Sequence, residues 1–190
     1  MNRGRIFGVS AVFLAGAIGA TFVAGAALGL RLNFTESAPT GLWRVSDTAT
    51  GQRGELVEVC PPQQPVVQIM GDRGYLEPGG CPGDVIPLLK PIAAVAGDTV
   101  TLTQGQPAAV NGRVLPNTIA MPAVPAWPDG VYTVATGQVW LFSTYSAGSF
   151  DSRYFGPVPV ANVRGRAVAL LVAGEPADMT LTQRNEDDRY

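Results

Sequence analysis

Thr99-Val100-Thr101-Leu102-Thr103 and Ala109-Val110-Asn111-Gly112-Arg113-Val114-Leu115 decide the fold class. The first stretch alternates polar and apolar residues, the period-two spacing of a half-buried strand. The second sets Asn-Gly between apolar flanks, a strong short-range hairpin signal. Glu55-Leu56-Val57-Glu58-Val59 repeats the alternation. Gln138-Val139-Trp140-Leu141-Phe142 and Val163 to Val172 add two more apolar, β-rich runs. Pro65 to Gly74 fits a short helix, with proline at its start and glycine at its end. Pro116 to Gly130 holds four prolines and reads as an extended surface loop. No internal repeat is present. The class is mainly β.

Toward the N-terminus the character changes. Ile6 to Leu30 carries no charged side chain. As a helix this run reaches ~37 Å, longer than a ~30 Å hydrocarbon core. The alternative is a cleaved secretory signal, for which Ala24-Gly25-Ala26 supplies a small-x-small site. Such signals carry an apolar core of only ~7–15 residues, so length favours an uncleaved anchor. Arg3 and Arg5 precede the run, which places the N-terminus in the cytoplasm, although Arg31 and Arg44 lie just beyond its other end. The sequence thus divides into a short cytoplasmic N-terminus (1–5), a transmembrane helix (6–30), one outer domain (31–183) and a charged, disordered tail (184–190). The outer domain is large enough to bury a real core.

Composition narrows the chemistry. Charged residues make up 15% of the 190 residues and the net charge is −2, so nothing points to nucleic acid. There is no histidine, which excludes Ser-His-Asp and Cys-His nucleophile systems and removes the commonest zinc ligand. Two cysteines, Cys60 and Cys81, are too few for a Cys-only zinc site. In a domain outside the cytoplasm an even count predicts a Cys60–Cys81 disulfide; the alternative is two buried thiols. No metal or other cofactor is expected.

Every positive side chain is an arginine except one, Lys90. Without histidine a serine nucleophile needs another base, and a neutral lysine can serve. Lys90 lies in Val85-Ile86-Pro87-Leu88-Leu89-Lys90-Pro91-Ile92-Ala93-Ala94-Val95, apolar on both sides. Burial there would lower its pKa, and a fall of ~2–3 units from about 10.4 would make it a base near neutral pH. The alternative is a strand-end lysine reaching out to water. Ser37, in Asn33-Phe34-Thr35-Glu36-Ser37-Ala38-Pro39-Thr40-Gly41-Leu42-Trp43, is the candidate nucleophile. Taken alone it is a turn serine before a proline. Its place seven residues after the apolar run would hold it at the outer membrane surface.

The segment around Ser37 resembles the nucleophile box of the type I signal peptidase family, and Leu89 to Asp98 resembles its lysine box. Ser149-Phe150-Asp151-Ser152-Arg153-Tyr154-Phe155-Gly156-Pro157-Val158 resembles its C-terminal box. The form Asn-x-Thr-x-Ser-x-Pro-x-Gly-Leu-Trp is similar to the branch of that family that serves conjugative transfer. The three boxes stand in family order and span most of the chain.

The resemblance implies a signal-peptidase-like β domain with one N-terminal transmembrane helix, held in a bacterial inner membrane with its catalytic domain in the periplasm. It implies Ser37 as nucleophile and Lys90 as general base. It implies an oxyanion hole from the Ser37 N–H and the Thr35 hydroxyl, and Ser149 as the hydroxyl that orients the lysine. Asp151 and Arg153 match a structural ion pair, and in the conjugative branch the matching aspartate is implicated in activity. Where ordinary signal peptidases carry Gly-Asp-Asn, this sequence has Ser143-Thr144-Tyr145. The expected activity is a serine endopeptidase that matures, or cyclises, a conjugative pilin precursor. Two alternatives are a general signal peptidase acting on membrane-inserted preproteins and a silent, membrane-anchored β domain that binds secretion components.

Overall fold

The computed structural model describes residues 3–173, with only the backbone described at 3–11 and 22. The expected tail over 184–190 therefore lies outside the described residues, as do the last ten residues of the expected outer domain. A long helix, α1 (Arg3–Ala27), comes first. Val12, Phe13, Leu14 and Val23 stand exposed on it. Among the described residues no helix is long and apolar enough to cross a membrane. The helix ends short of the apolar run. At Gly29 the chain crosses the backbone of Val45 so closely that a Cβ would lie 2.1 Å from the Val45 carbonyl oxygen.

The remaining elements are β1 (Leu30–Asn33), β2 (Gly41–Ser46), β3 (Leu56–Val59), α2 (Pro65–Asp72), β4 (Leu88–Ala94), β5 (Thr99–Leu102), β6 (Ala109–Val110), β7 (Arg113–Val114), β8 (Gly130–Thr133), β9 (Gln138–Leu141), α3 (Ser152–Phe155), β10 (Val158–Pro159) and β11 (Val163–Val172). They form two antiparallel sheets, one ordered β1-β2-β11-β3-β4-β9-β10 and one ordered β7-β6-β5-β8. The fold is mainly β. The Asn111-Gly112 hairpin forms as the sequence predicts, with φ of 51° and 78° at its two turn residues. It is tied back to the β4–β5 turn, where Asn111 Nδ2 donates to Asp98 Oδ1 at 2.9 Å and Arg53 pairs with the same carboxylate.

Two larger cores result. Val57, Val59, Met70, Ile92, Leu141 and Phe155 fill one, and Val100, Val110, Leu115, Trp140 and Phe142 fill the other. Strand β3 departs from the half-buried pattern its alternation predicts, since all four of its residues are buried. It lies between β11 and β4, and both of its faces are covered. Its one charge, Glu58, stays buried because Arg31 Nε reaches it at 2.6 Å. The stretch 116–130 is anchored to the domain at a few points. Val124 joins the first core, and the carbonyls of Asn117 and Ile119 accept from Arg153 Nη1. It is nonetheless the surface loop its prolines predict, mostly exposed and pinned at these points. Cys60, just after β3, is disulfide-bonded to Cys81 in the loop leading to β4, with Cα atoms 5.4 Å apart.

Candidate active site

Strand β4 carries Lys90 into the interior between β3 and β9, opposite Val57. The residue is 3% exposed. Its Nζ donates to Ser149 Oγ at 2.7 Å. Burial lowers its pKa from 10.5 to about 8, against the raising pull of Asp151 and with a smaller lowering push from Arg153. A lysine that snorkels to water is thus not what the fold makes. Ser149 is itself held from behind, for Tyr75 Oη donates to the adjoining Gly148 carbonyl at 2.6 Å.

Beside this pair, Asp151 and Arg153 form a bidentate ion pair that is almost wholly buried. Arg153 Nε donates to Asp151 Oδ1 and Nη2 to Oδ2, both at 2.8 Å. Asp151 also caps α3 by accepting from the Arg153 backbone N–H. The remaining guanidinium donors reach the carbonyls of Asn117, Ile119, Ser143 and Ala147. Paired and fully hydrogen-bonded, the ions bear burial that either would not bear alone. One arginine gathers two loops, β7–β8 and β9–α3, around the site.

The serine side is built differently. Between β1 and β2 the chain makes a turn, and Asn33 organises it. Its Nδ2 donates to the carbonyls of Thr35 and Ala38, both at 2.9 Å, and of Pro39 at 3.1 Å. Trp43 Nε1 adds a bond to the Pro39 carbonyl at 3.0 Å. Gly41 has φ 138°, and a Cβ there would lie 2.2 Å from the Leu171 carbonyl oxygen. These contacts give physical reasons for the Asn, Gly and Trp of the motif. Thr35 Oγ1 donates to Asn33 Oδ1 at 2.8 Å, which leaves the Ser37 hydroxyl to donate to Thr35 at 3.1 Å.

Ser37, Thr35 and Lys90 line one cavity of about 570 Å³, with Phe34, Tyr75 and Phe150 among its apolar walls. The structure therefore brings together Ser149 with Lys90, Asp151 with Arg153, and Thr35 with Ser37. Lys90 of the first pair and both residues of the third face a common space. Chemically, the cavity offers a hydroxyl and an amine that burial has moved toward neutrality. Among the described residues no three of His, Cys, Asp and Glu cluster to hold a metal ion.

Three residues of the site were not singled out by sequence. Asn33 stood inside the quoted motif and Ser143 inside the one departure from the family pattern, so a signal existed for both. For Tyr75 there was none.

A family profile described as signal peptidase, peptidase S26, matches residues 4–172, and the chain belongs to that family. Among curated proteins it is similar to a probable conjugal transfer protein TraF of Sinorhizobium fredii (strain NBRC 101917 / NGR234), 40% identical over 75% of this chain and 77% of that one. It is also similar to a plasmid transfer protein TraF of Escherichia coli, 39% identical over 80% of this chain and 85% of that one. A conjugal transfer protein TraF of Agrobacterium fabrum (strain C58 / ATCC 33970) is 37% identical over 86% of this chain and 92% of that one.

Proposed function

We propose that this chain is a membrane-anchored serine endopeptidase of conjugative transfer that matures the pilin precursor with a Ser37/Lys90 dyad. The observation that carries the reading is the lysine itself. A buried amine with a pKa near 8, hydrogen-bonded to Ser149, lines the same cavity as a serine hydroxyl. The names of the curated relatives support the setting in conjugation.

In this reading neutral Lys90 takes the Ser37 proton as Oγ attacks the scissile carbonyl. The Ser37 N–H and the Thr35 hydroxyl, released from Asn33, receive the developing oxyanion. The lysine returns the proton to the departing amine, and an acyl-enzyme remains. Water then releases a linear product, with Lys90 again as base. If the N-terminal amine of the same precursor attacks instead, the serine leaves and the product is cyclic. In this reading the uncharged run 6–30 is the inner-membrane anchor, with Arg3 and Arg5 on the cytoplasmic side, and the β domain stands in the periplasm.

The test is direct. The purified full-length protein is incubated with purified pilin precursor in detergent micelles, and the product is weighed. Cleavage at one internal bond is expected, with the product either linear or lighter by one water. A precursor that stays intact with the wild-type chain would leave a silent binding domain as the better reading. Cleavage of unrelated exported preproteins at equal rates would favour a general signal peptidase.

A further inference from the structure

Ser143 lies two residues beyond β9 and is wholly buried. Each of its polar groups is engaged. Its backbone N–H donates to Asp151 Oδ2 at 3.0 Å, and its carbonyl accepts from Arg153 Nη2 at 3.3 Å. Its hydroxyl donates to the Ser37 carbonyl oxygen at 2.7 Å and accepts from the Tyr145 N–H at 3.3 Å. One serine thus joins the buried ion pair, through its backbone, to the nucleophile turn, through its side chain.

That link answers a problem the turn poses. Asn33 fixes the carbonyls of Thr35, Ala38 and Pro39 but not that of Ser37. The peptide that follows Ser37 is the one whose rotation would swing the nucleophile. Holding its oxygen restrains ψ at Ser37, and with it the direction of the Cα–Cβ bond that carries Oγ. Asp151 bonds to Arg153 and to the Ser143 N–H, so its influence on the serine travels through Ser143.

We propose that Ser143 is a positioning residue for Ser37, transmitting the rigidity of the Asp151–Arg153 pair to the nucleophile turn. The inference rests on the Ser37/Lys90 reading. Misplacement of a reacting atom by about 1 Å can cost ~100-fold in rate, so removing the tether should lower turnover without touching the base.

The test compares Ser143→Ala, Ser143→Thr and Ser37→Ala in the full-length protein, with the pilin precursor in micelles as substrate. Melting curves check that each is folded. For Ser143→Ala, kcat should fall about 10- to 100-fold with KM unchanged. The pH midpoint should stay at the wild-type value, because Lys90 and Ser149 are intact. Ser143→Thr, which keeps the hydroxyl, should recover most of the rate. Should the threonine variant fail to fold, Asp151→Asn in the Ser143→Ala background replaces it, and the pair should lose no more than Asp151→Asn alone. A lower melting point with unchanged kcat, or a rise in KM alone, would overturn the proposal and leave Ser143 a packing residue. An active Ser37→Ala enzyme would sink the dyad and this inference together. An inactive one beside a full-speed Ser143→Ala enzyme would sink this inference alone.

Discussion

Ser37 stands in a turn that water reaches, and Lys90 sits in the middle of a sheet with 3% of its surface exposed. The serine is held mostly by its chain neighbours, with Asn33, Thr35, Pro39 and Trp43 all within six residues. The lysine is held by Ser149, 59 residues away in sequence. In the proposed reading the difference follows from what each group must do. A nucleophile must meet substrate, so it belongs on a loop braced by short bonds. An amine that must lose its proton near neutrality is helped by being taken out of water, and here packed strands achieve that.

The comparison breaks most completely when either partner is replaced. Ser37→Ala, Lys90→Ala and Lys90→Arg should each slow precursor processing by roughly ten-thousand-fold or more, and Ser37→Ala with Lys90→Ala should be no worse than either. Arginine keeps the charge but cannot give up its proton, so it cannot act as a base. Single-turnover processing followed by mass spectrometry measures this. A Lys90→Arg enzyme that still cleaves would return Lys90 to the role of a structural cation. A smaller effect sharpens the serine side. Thr35→Val should cost ~100- to 1,000-fold in kcat with little change in KM, and Thr35→Ser should restore most of it.

This asymmetry also explains what the sequence made legible. The turn is a local object, and its reasons sit within Asn33 to Trp43, so eleven residues carried it. The Asn111-Gly112 hairpin was legible on the same ground, since a two-residue turn writes its own φ requirement. The edge strand β1 was hidden at the end of an apolar run, because Leu30 belongs both to that run and to the sheet. Strand β3 looked half-buried because pattern cannot show a second layer. The buried Glu58 depends on Arg31, 27 residues earlier. The link from Ser143 to Ser37 spans 106 residues, and no local pattern encodes it.

The lysine side has a cost in stability that the serine side does not. Lys90 has a folded pKa near 8, below its unfolded value of 10.5, so between those values the unfolded chain holds a proton the folded chain lacks. Stability therefore rises with pH across that window, and the full penalty persists below it. Lys90→Met should abolish that slope. At pH 7 it should gain about 2 kcal/mol, since ~3 kcal/mol of relieved desolvation is offset by ~1 kcal/mol for the lost bond to Ser149. Denaturant melts of the two proteins at pH 7 and pH 10 would check both statements. Activity should also rise with pH, but through a lower window, with kcat/KM levelling above about 8, where the amine is neutral. A wild-type profile flat from pH 6 to 9 would count against Lys90 as the base.

The smallest effect concerns the start of the chain, where α1 meets the domain. In the proposed reading α1 anchors the protein, and the join to the domain is stiff. Val45 N–H donates to the Gly29 carbonyl at 2.8 Å, and Arg31 Nη1 donates to the Ala26 carbonyl at 3.2 Å while its Nε holds Glu58. Leu30 to Asn33 then pair with β2 as an edge strand that ends beside the nucleophile turn. The residues between helix and serine are thus a strut rather than a free tether, and a spacer placed among them would break the sheet. Between Leu28 and Gly29 the insertion leaves every strand intact. About 15 flexible residues there would let the domain drift from the bilayer by tens of ångströms. Cleavage of a soluble peptide spanning the scissile bond should be unchanged, while the membrane-inserted precursor should be processed several-fold more slowly. Equal slowing of both substrates would mean that the insertion damaged the turn. Equal speed on both would mean that the helix holds the protein at the membrane without setting the height of its cavity.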